Sequence, residues 1–140
     1  MSFLDDLKAA QNAPRIYADV PVMFNGHLHI LRFRQMDGLD WTAETDRHPM
    51  RPGIAIDMKY GYNFRALTKT AAPASGVRVE DEVEHVVTEE EWEHIFSPGV
   101  LTGRYFAAIT DAIWALNVRS PELAVEAAKK ALTNSPKSST

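Results

Sequence analysis

The fold of this chain is decided by residues 88–122, TEEEWEHIFSPGVLTGRYFAAITDAIWALNVRSPE, which combine helix start signals, an apolar stripe and two of the three tryptophans. Thr88 is placed to cap a short helix that runs from about Glu89 to Phe96, and Glu91 can close a capping box with it. Negative side chains in the first helical turn also interact favourably with the helix dipole. The sequence therefore predicts that the main helical unit of the fold begins at Thr88.

Two more helices are predicted downstream. The first opens near Thr102 and runs to about Asn117, because apolar side chains recur there at the spacing of one helix face. Ser120 and Pro121 are typical of an N-cap followed by a proline in the first helical turn, so a separate helix is expected from there to about residue 133. The helical unit then spans about residues 88–133, and the polar residues 134–140 are expected to form a disordered tail.

A β-hairpin is predicted near the other end of the chain, at about residues 17–34. Alternating apolar residues flank Asn25-Gly26, a pair that favours the tight turn of a two-residue hairpin. An isolated hairpin is only marginally stable in water, so its apolar face should pack on the helices. The predicted class is α+β: one domain of about residues 1–133, with an N-terminal hairpin packed on four to five helices.

The rest of the chain is patterned less strongly. Residues 2–11 form a short amphipathic pattern that predicts a frayed helix able to dock onto another surface. A helix capped by Asp37 is expected over residues 36–47, and another over about residues 63–70. Residues 77–87 fit either a short strand pair or an irregular segment, and the sequence leaves these alternatives open.

The composition of the chain limits which cellular compartments and which partners are expected. The chain has 140 residues, a formal net charge of -4 and no cysteine, which excludes disulfides and thiolate chemistry. Acidic residues are concentrated between Glu80 and Glu93, and such a run repels phosphate, so nucleic acid is not an expected partner. The N-terminus, MSFLDDLKAAQ, does not fit a signal peptide, and no apolar run approaches the roughly 20 residues needed to span a bilayer. A soluble intracellular protein that does not bind membranes is therefore expected.

His27 and His29 form the pair with the clearest chemical meaning. They lie two residues apart on a predicted strand and share a face, a spacing that metal sites use, but a site needs at least one further ligand. Alternation along the strand is expected to bury Leu28 and Ile30 and to leave both histidines exposed. No glycine-rich phosphate loop, nucleophile elbow or His-Glu-x-x-His motif is present, so no catalytic residue, metal or cofactor is predicted.

The aromatic side chains say more about the function of this chain than the titratable ones do. Most aromatic residues belong to a core by default, yet they also dominate the energetics of protein interfaces. A protein-binding module is therefore the leading class. The predicted partner-binding residues lie on the helical unit and are Trp92, Phe96, Tyr105, Ile109 and Trp114, with Trp114 as the main anchor because it departs from the apolar stripe of its helix.

Four features together carry a resemblance to a known family: YGYNFRAL at residues 60–67, TEEEW at residues 88–92, LTGRYFAAITDAIWALN at residues 101–117, and the early hairpin followed by Asp40-Trp41. In their order and spacing they resemble the tail assembly chaperones of long-tailed phages and prophages of actinobacteria. The resemblance covers the chain from Val20 to about Pro121. It departs from the family pattern in residues 75–87 and in the absence of an extended C-terminal domain.

The resemblance implies a protein that binds the tape measure protein and keeps it soluble while the tail tube assembles around it. It implies the cytoplasm of the infected bacterial host as the location, absence from the mature virion, the tail tube protein as a second candidate partner, and self-association as an open question. The main alternative is a structural virion protein, such as a head-to-tail connector or tail terminator, which would remain in the particle. A small metal-dependent enzyme built on His27 and His29 is a third hypothesis.

Overall fold

The computed structural model describes residues 2–134. Along them the elements run in the order α1 (Phe3–Asn12), β1 (Tyr17–Phe24), β2 (His27–Arg34), α2 (Gly38–Arg47), α3 (Ala55–Tyr60), α4 (Phe64–Ser75), β3 (Gly76–Glu80), β4 (Val83–His85), α5 (Glu89–Ile95), α6 (Gly103–Trp114), a π-helical segment (Ala115–Arg119) and α7 (Ser120–Asn134). The predicted α+β class with an N-terminal hairpin is confirmed, although more helices form than the four to five expected. The expected disordered tail lies outside the described residues except for Asn134, which ends α7.

The four strands form one antiparallel sheet in the order β1-β2-β3-β4. The hairpin turn is where the sequence places it, because Asn25 and Gly26 adopt φ angles of 51° and 77°, and this left-handed conformation is one that Asn and Gly tolerate. The segment that left two alternatives open forms a strand pair. Its first strand, β3, pairs with β2 between Ile30↔Val79 and Phe33↔Gly76, so it extends the hairpin into a larger sheet.

The buried face of β2 is the opposite of the predicted one. Leu31 and Phe33 are buried, whereas Leu28 is 63% exposed. His29 shares the face of Leu31 and lies opposite the buried Val22 of β1, but it is exposed. The prediction failed because β2 carries apolar residues on both faces, and only the partner strand and the helices determine which set is covered.

The core lies between the inner face of the sheet and helices α4, α5 and α6. Helices α4 and α6 pack on each other and on the hairpin strands, and α2 packs on the outer side of α4. The buried set consists mainly of Val20, Val22, Leu31 and Phe33 from the sheet and Leu67, Ala71, Ala72, Trp92, Ile95, Ile109, Ile113 and Leu116 from the helical part. The hairpin therefore packs on helices, as its marginal stability in isolation requires.

The start of α5 is confirmed in detail. The backbone N–H of Glu91 donates to Thr88 Oγ1 at 3.1 Å, and the N–H of Thr88 donates to Glu91 Oε1 at 2.8 Å. These two bonds form the expected capping box, and the bond from the Thr88 backbone lowers the pKa of Glu91. The Asp37 cap of α2 is confirmed too, since its carboxylate accepts from the N–H of Leu39 at 3.1 Å.

The helix predicted from Ser120 to about residue 133 forms as α7 (Ser120–Asn134), but the predicted N-cap at Ser120 is wrong, because α6, the π-helical segment and α7 form one continuous helix. Ser120 is helical, with φ -62° and ψ -43°, and its N–H donates to the carbonyl of Ala115 five residues earlier. Proline inside a helix removes a donor and its ring crowds the carbonyl four residues before it. The π-helical turn, whose hydrogen bonds reach five residues back, lies just before Pro121, and the chain remains helical past the proline.

An ion pair with a buried carboxylate anchors α3 to the loop before it. Asp57 has no exposed surface, and its carboxylate accepts from the Arg51 backbone N–H, Nε and Nη2 at 2.8 to 2.9 Å. The hydrogen bond from the Arg51 side chain is the largest influence on this group and lowers the pKa of Asp57 to about 2. The ionised form is therefore favoured in the folded protein.

We expect Asp57→Asn to lower the urea midpoint most at pH values above about 4. A carboxyl group whose pKa is lower in the folded state stabilises the fold above its unfolded pKa, and this contribution is lost as the pH falls through the folded pKa of about 2. Urea unfolding at pH 7, 4, 3 and 2.5 should show the two proteins converging at the acid end. Asp46→Asn, on the exposed side of α2, controls for the loss of one negative charge, and a difference that stayed constant with pH would contradict the prediction.

Candidate functional site

The two histidines of β2 are not brought to further ligands. His27 and His29 both lie exposed on the strand next to the hairpin turn. Among residues 2–134 there is no group of three or more His, Asp or Glu side chains that could hold a metal ion. The metal-enzyme hypothesis therefore finds no geometric support in this part of the chain.

One polar cluster resembles a catalytic triad in composition but not in geometry. Thr70 Oγ1 donates to Glu44 Oε2 at 2.6 Å, and His48 Nε2 lies 3.1 Å from the same hydroxyl. A triad needs one imidazole nitrogen on the nucleophile and the other on the carboxylate. Here Nε2 faces both, at 4.0 Å from Glu44 Oε2. We interpret the cluster as a polar contact that joins α2 to α4.

An extended concave surface runs along α4. Two adjoining cavities of about 590 and 340 Å³ lie between α4 and the chain from the start of α5 to the start of α6, and they share Lys69 and Phe96. We call this surface the α4–α5 groove. Its lining residues that matter below are Arg65, Lys69, Pro73, Trp92, Glu93, Phe96, Leu101 and Phe106.

Aromatic rings form the apolar floor of the α4–α5 groove. Phe96 is half-buried and stacks on Trp92 with ring centroids 5.9 Å apart. The ring of Phe106 meets Phe96 edge-on at 6.3 Å, and Phe64 lies 6.5 Å from Phe106. Because these rings support one another, the exposed parts of Phe96 and Phe106 are held in place. A partner side chain would meet a preorganised apolar surface.

The two sides of the groove carry opposite charges. Arg65 and Lys69 project from α4, whereas Glu89 and Glu93 lie on α5. The apolar floor between two charged sides matches an amphipathic helix, whose apolar stripe is bordered by polar residues. The opposite signs would also favour one orientation of such a helix over the other.

The five predicted partner-binding residues do not lie on one surface. Trp92 and Ile109 are core residues, 4% and 0% exposed; Ile109 does not reach the groove, whereas Trp92 lines it with only a small exposed fraction. Phe96 lies in the α4–α5 groove with an accessible ring. Tyr105 and Trp114 are half-buried and do not line the groove.

Trp114 is less available than its direction on the helix suggested. Its ring packs edge-on against Tyr60 at 6.0 Å, and the Tyr60 hydroxyl donates to Asp111 at 2.7 Å. Burial of this tyrosine raises its pKa to about 12. Tyr60 of α3 therefore covers part of the Trp114 ring, and Trp114 contributes to the packing of α3 beside α6.

Sequence reasoning missed the groove residues Lys69 and Phe106. Phe106 follows Tyr105 on α6, so the periodicity of that helix alone could not assign it to a partner-facing side. Lys69 belongs to α4, which packs beside α5 only through long-range contacts. No local signal in the sequence joins these two residues to Phe96.

No protein-family model, curated protein or solved structure matches this chain. None of the helices within residues 2–134 has both the length and the apolar character needed to cross a membrane.

Proposed function

We propose that this protein is a phage tail assembly chaperone that binds an amphipathic helical stretch of the tape measure protein. The observation that carries the proposal is the α4–α5 groove, with its preorganised rings and its oppositely charged sides. The identity of the partner rests on the resemblance of residues 60–67, 88–92 and 101–117 to tail assembly chaperones. The chaperone would act in the cytoplasm of the infected host and would leave before the virion matures.

The groove suits weak but repeated binding. A long helical partner presents similar apolar stripes along its length, so several copies of the chaperone can bind side by side. Each contact can then be weak while the array still covers the apolar surface of the partner, because multiple binding raises the overall affinity. Phe96 is the expected anchor, since interface energy concentrates in a few aromatic residues at the centre of a contact.

Co-expression with the tape measure protein tests the proposal. We expect the wild-type chain to keep this partner in the soluble fraction, and Phe96→Ala to weaken each contact about 30-fold or more, the scale of an interface hot spot. Met58→Ala is the matched control, because Met58 is 77% exposed and does not line the groove. Thermal melts of each variant show whether the fold is retained.

A second groove variant separates binding from stability. Lys69→Glu reverses an exposed charge at the side of the groove and leaves the core rings unchanged. We expect it to reduce the soluble fraction of the partner without lowering the melting temperature. Partner protein that stayed equally insoluble with and without the wild-type chain would overturn the chaperone proposal. Recovery of the chain from purified virions would instead favour the structural virion protein.

A further inference from the structure

Both terminal helices present apolar side chains to solvent. No residue of α1 or of α7 is buried. On α1, Phe3, Leu4 and Leu7 are 78%, 58% and 47% exposed. On α7, Leu123 and Leu132 are 47% and 80% exposed and flank the exposed Ala124, Ala127 and Ala128, and together these residues form the apolar stripe of the helix. Exposed apolar patches of this kind are uncommon on monomeric proteins and mark interaction surfaces.

Helix α1 is also too short to be stable without packing. It has ten residues, and isolated helices shorter than about 12–15 residues are marginal in water. Its capping box, made by Ser2 and Asp5, stabilises only the first turn. The amphipathic pattern therefore implies a surface on which Phe3, Leu4 and Leu7 are covered.

Charge favours α7 of another copy as that surface. Each helix is acidic near its start and basic further along: α1 carries Asp5 and Asp6 and then Lys8, and α7 carries Glu122 and Glu126 and then Lys129 and Lys130. An antiparallel pair brings the first turn of α1 beside the lysines, while a parallel pair would bring it beside Glu122. Antiparallel packing also aligns the two helix dipoles favourably.

The helical wheel supports the same orientation. At about 100° per residue, Asp6 borders the stripe of Phe3, Leu4 and Leu7 on one side, and Lys130 borders the α7 stripe on the same rotational side. Residues that border two stripes on the same rotational side meet when the helices are antiparallel, as equivalent flanking positions do in antiparallel coiled coils. Asp6 and Lys130 are therefore the expected ion pair.

We propose that α1 of one copy packs antiparallel on α7 of a second copy, through their apolar stripes and the Asp6–Lys130 pair. Because α7 continues directly from α6, the apolar stripe of α7 is attached to the core through that helix. This contact joins two different surfaces, so it supports either a reciprocal dimer or a chain of copies. The inference is independent of the proposed function, since it concerns only the surfaces of this chain.

Charge reversal tests the pairing in the full-length protein. Sedimentation of the wild-type chain should give a mass above the 15.7 kDa of one copy, rising with concentration. Asp6→Lys alone and Lys130→Glu alone should each weaken self-association about fivefold or more, because like charges then face each other. The chain that carries both changes should associate like wild type, and so should an equimolar mixture of the two single variants.

Asp46→Lys reverses a charge on α2 and serves as the matched control, and circular dichroism confirms that each variant is folded. Three results would overturn the proposal: a wild-type chain that stays monomeric at hundreds of micromolar, single variants that associate like wild type, or a double variant that does not recover. A monomeric chain whose two helices became protected from hydrogen exchange only when another protein was added would assign both faces to that protein instead.

Discussion

Trp92→Ala is expected to lower the free energy of unfolding by about 3–5 kcal/mol, the range measured when a buried large aromatic side chain is truncated. Trp92 is 4% exposed. Its ring lies 6.3 Å from Phe33 of the sheet and 5.9 Å from Phe96, so it fills the space between β2 and α5. Removing it would leave a cavity that the paired strands and the capped helix cannot easily close.

Urea unfolding followed by circular dichroism measures this loss. Leu39→Ala is the control, because Leu39 is 82% exposed and surface substitutions of this kind usually change stability by less than about 0.5 kcal/mol. Phe96→Ala should fall between the two, since Phe96 is half-buried. A Trp92→Ala variant as stable as wild type would mean that α5 is not docked on the sheet as described. Any loss of partner binding in this variant must be judged against its lost stability.

Gly76→Ala is expected to destabilise the protein by about 1–3 kcal/mol, the usual range for overpacking a dense core. A Cβ atom at this position would lie 2.7 Å from Cε1 of Phe33 and 2.8 Å from the carbonyl oxygen of Ala72. Phe33 is completely buried, and the carbonyl belongs to the last turn of α4, so neither neighbour can move freely. Gly76 thus permits the direct passage from α4 into β3.

Gly103→Ala is the matched control, because it is the same substitution but is expected to leave the stability of the protein unchanged or to raise it slightly. Gly103 begins α6, and a Cβ atom there would meet nothing within 4 Å. Alanine is the better helix former by up to about 1 kcal/mol, so this variant should be as stable as wild type or slightly more stable. The comparison is made by thermal and urea unfolding. Equal stability of the two variants would contradict the close approach of Phe33 and Ala72 to Gly76.

Local signals account for the features that the sequence predicted correctly. The hairpin turn at Asn25-Gly26, the capping box of Thr88 and Glu91, and the Asp37 cap depend on residues within a few positions of one another. Their energetics are local too, since a turn type or a helix cap depends on backbone conformation and short-range hydrogen bonds. The α+β class follows from two apolar patterns: the helical spacing in residues 88–133 and the two-residue alternation in the hairpin.

The candidate site was predicted only in part. Phe96 was among the predicted residues and lines the proposed groove; the sequence pointed to it because Trp92, Ile95 and Phe96 share the apolar face of a short helix. Trp92 and Ile109 were assigned to a partner although they lie in the core, since periodicity marks an apolar face without showing what covers it. The groove also needs Lys69 and Phe106, and these residues meet Phe96 only when α4, α5 and α6 pack together.

The sequence by itself determined the secondary structure around its caps and turns, the α+β class and the amphipathic character of α1 and α7. Only the tertiary structure decided which face of β2 is buried, that β3 pairs with β2, and that the chain stays helical through Pro121. The reason is physical: local propensities act within a few residues, whereas burial is shared between segments far apart in sequence. Leu28 and Leu31 are equally apolar. They differ only because the packed helices cover Leu31 and leave Leu28 exposed.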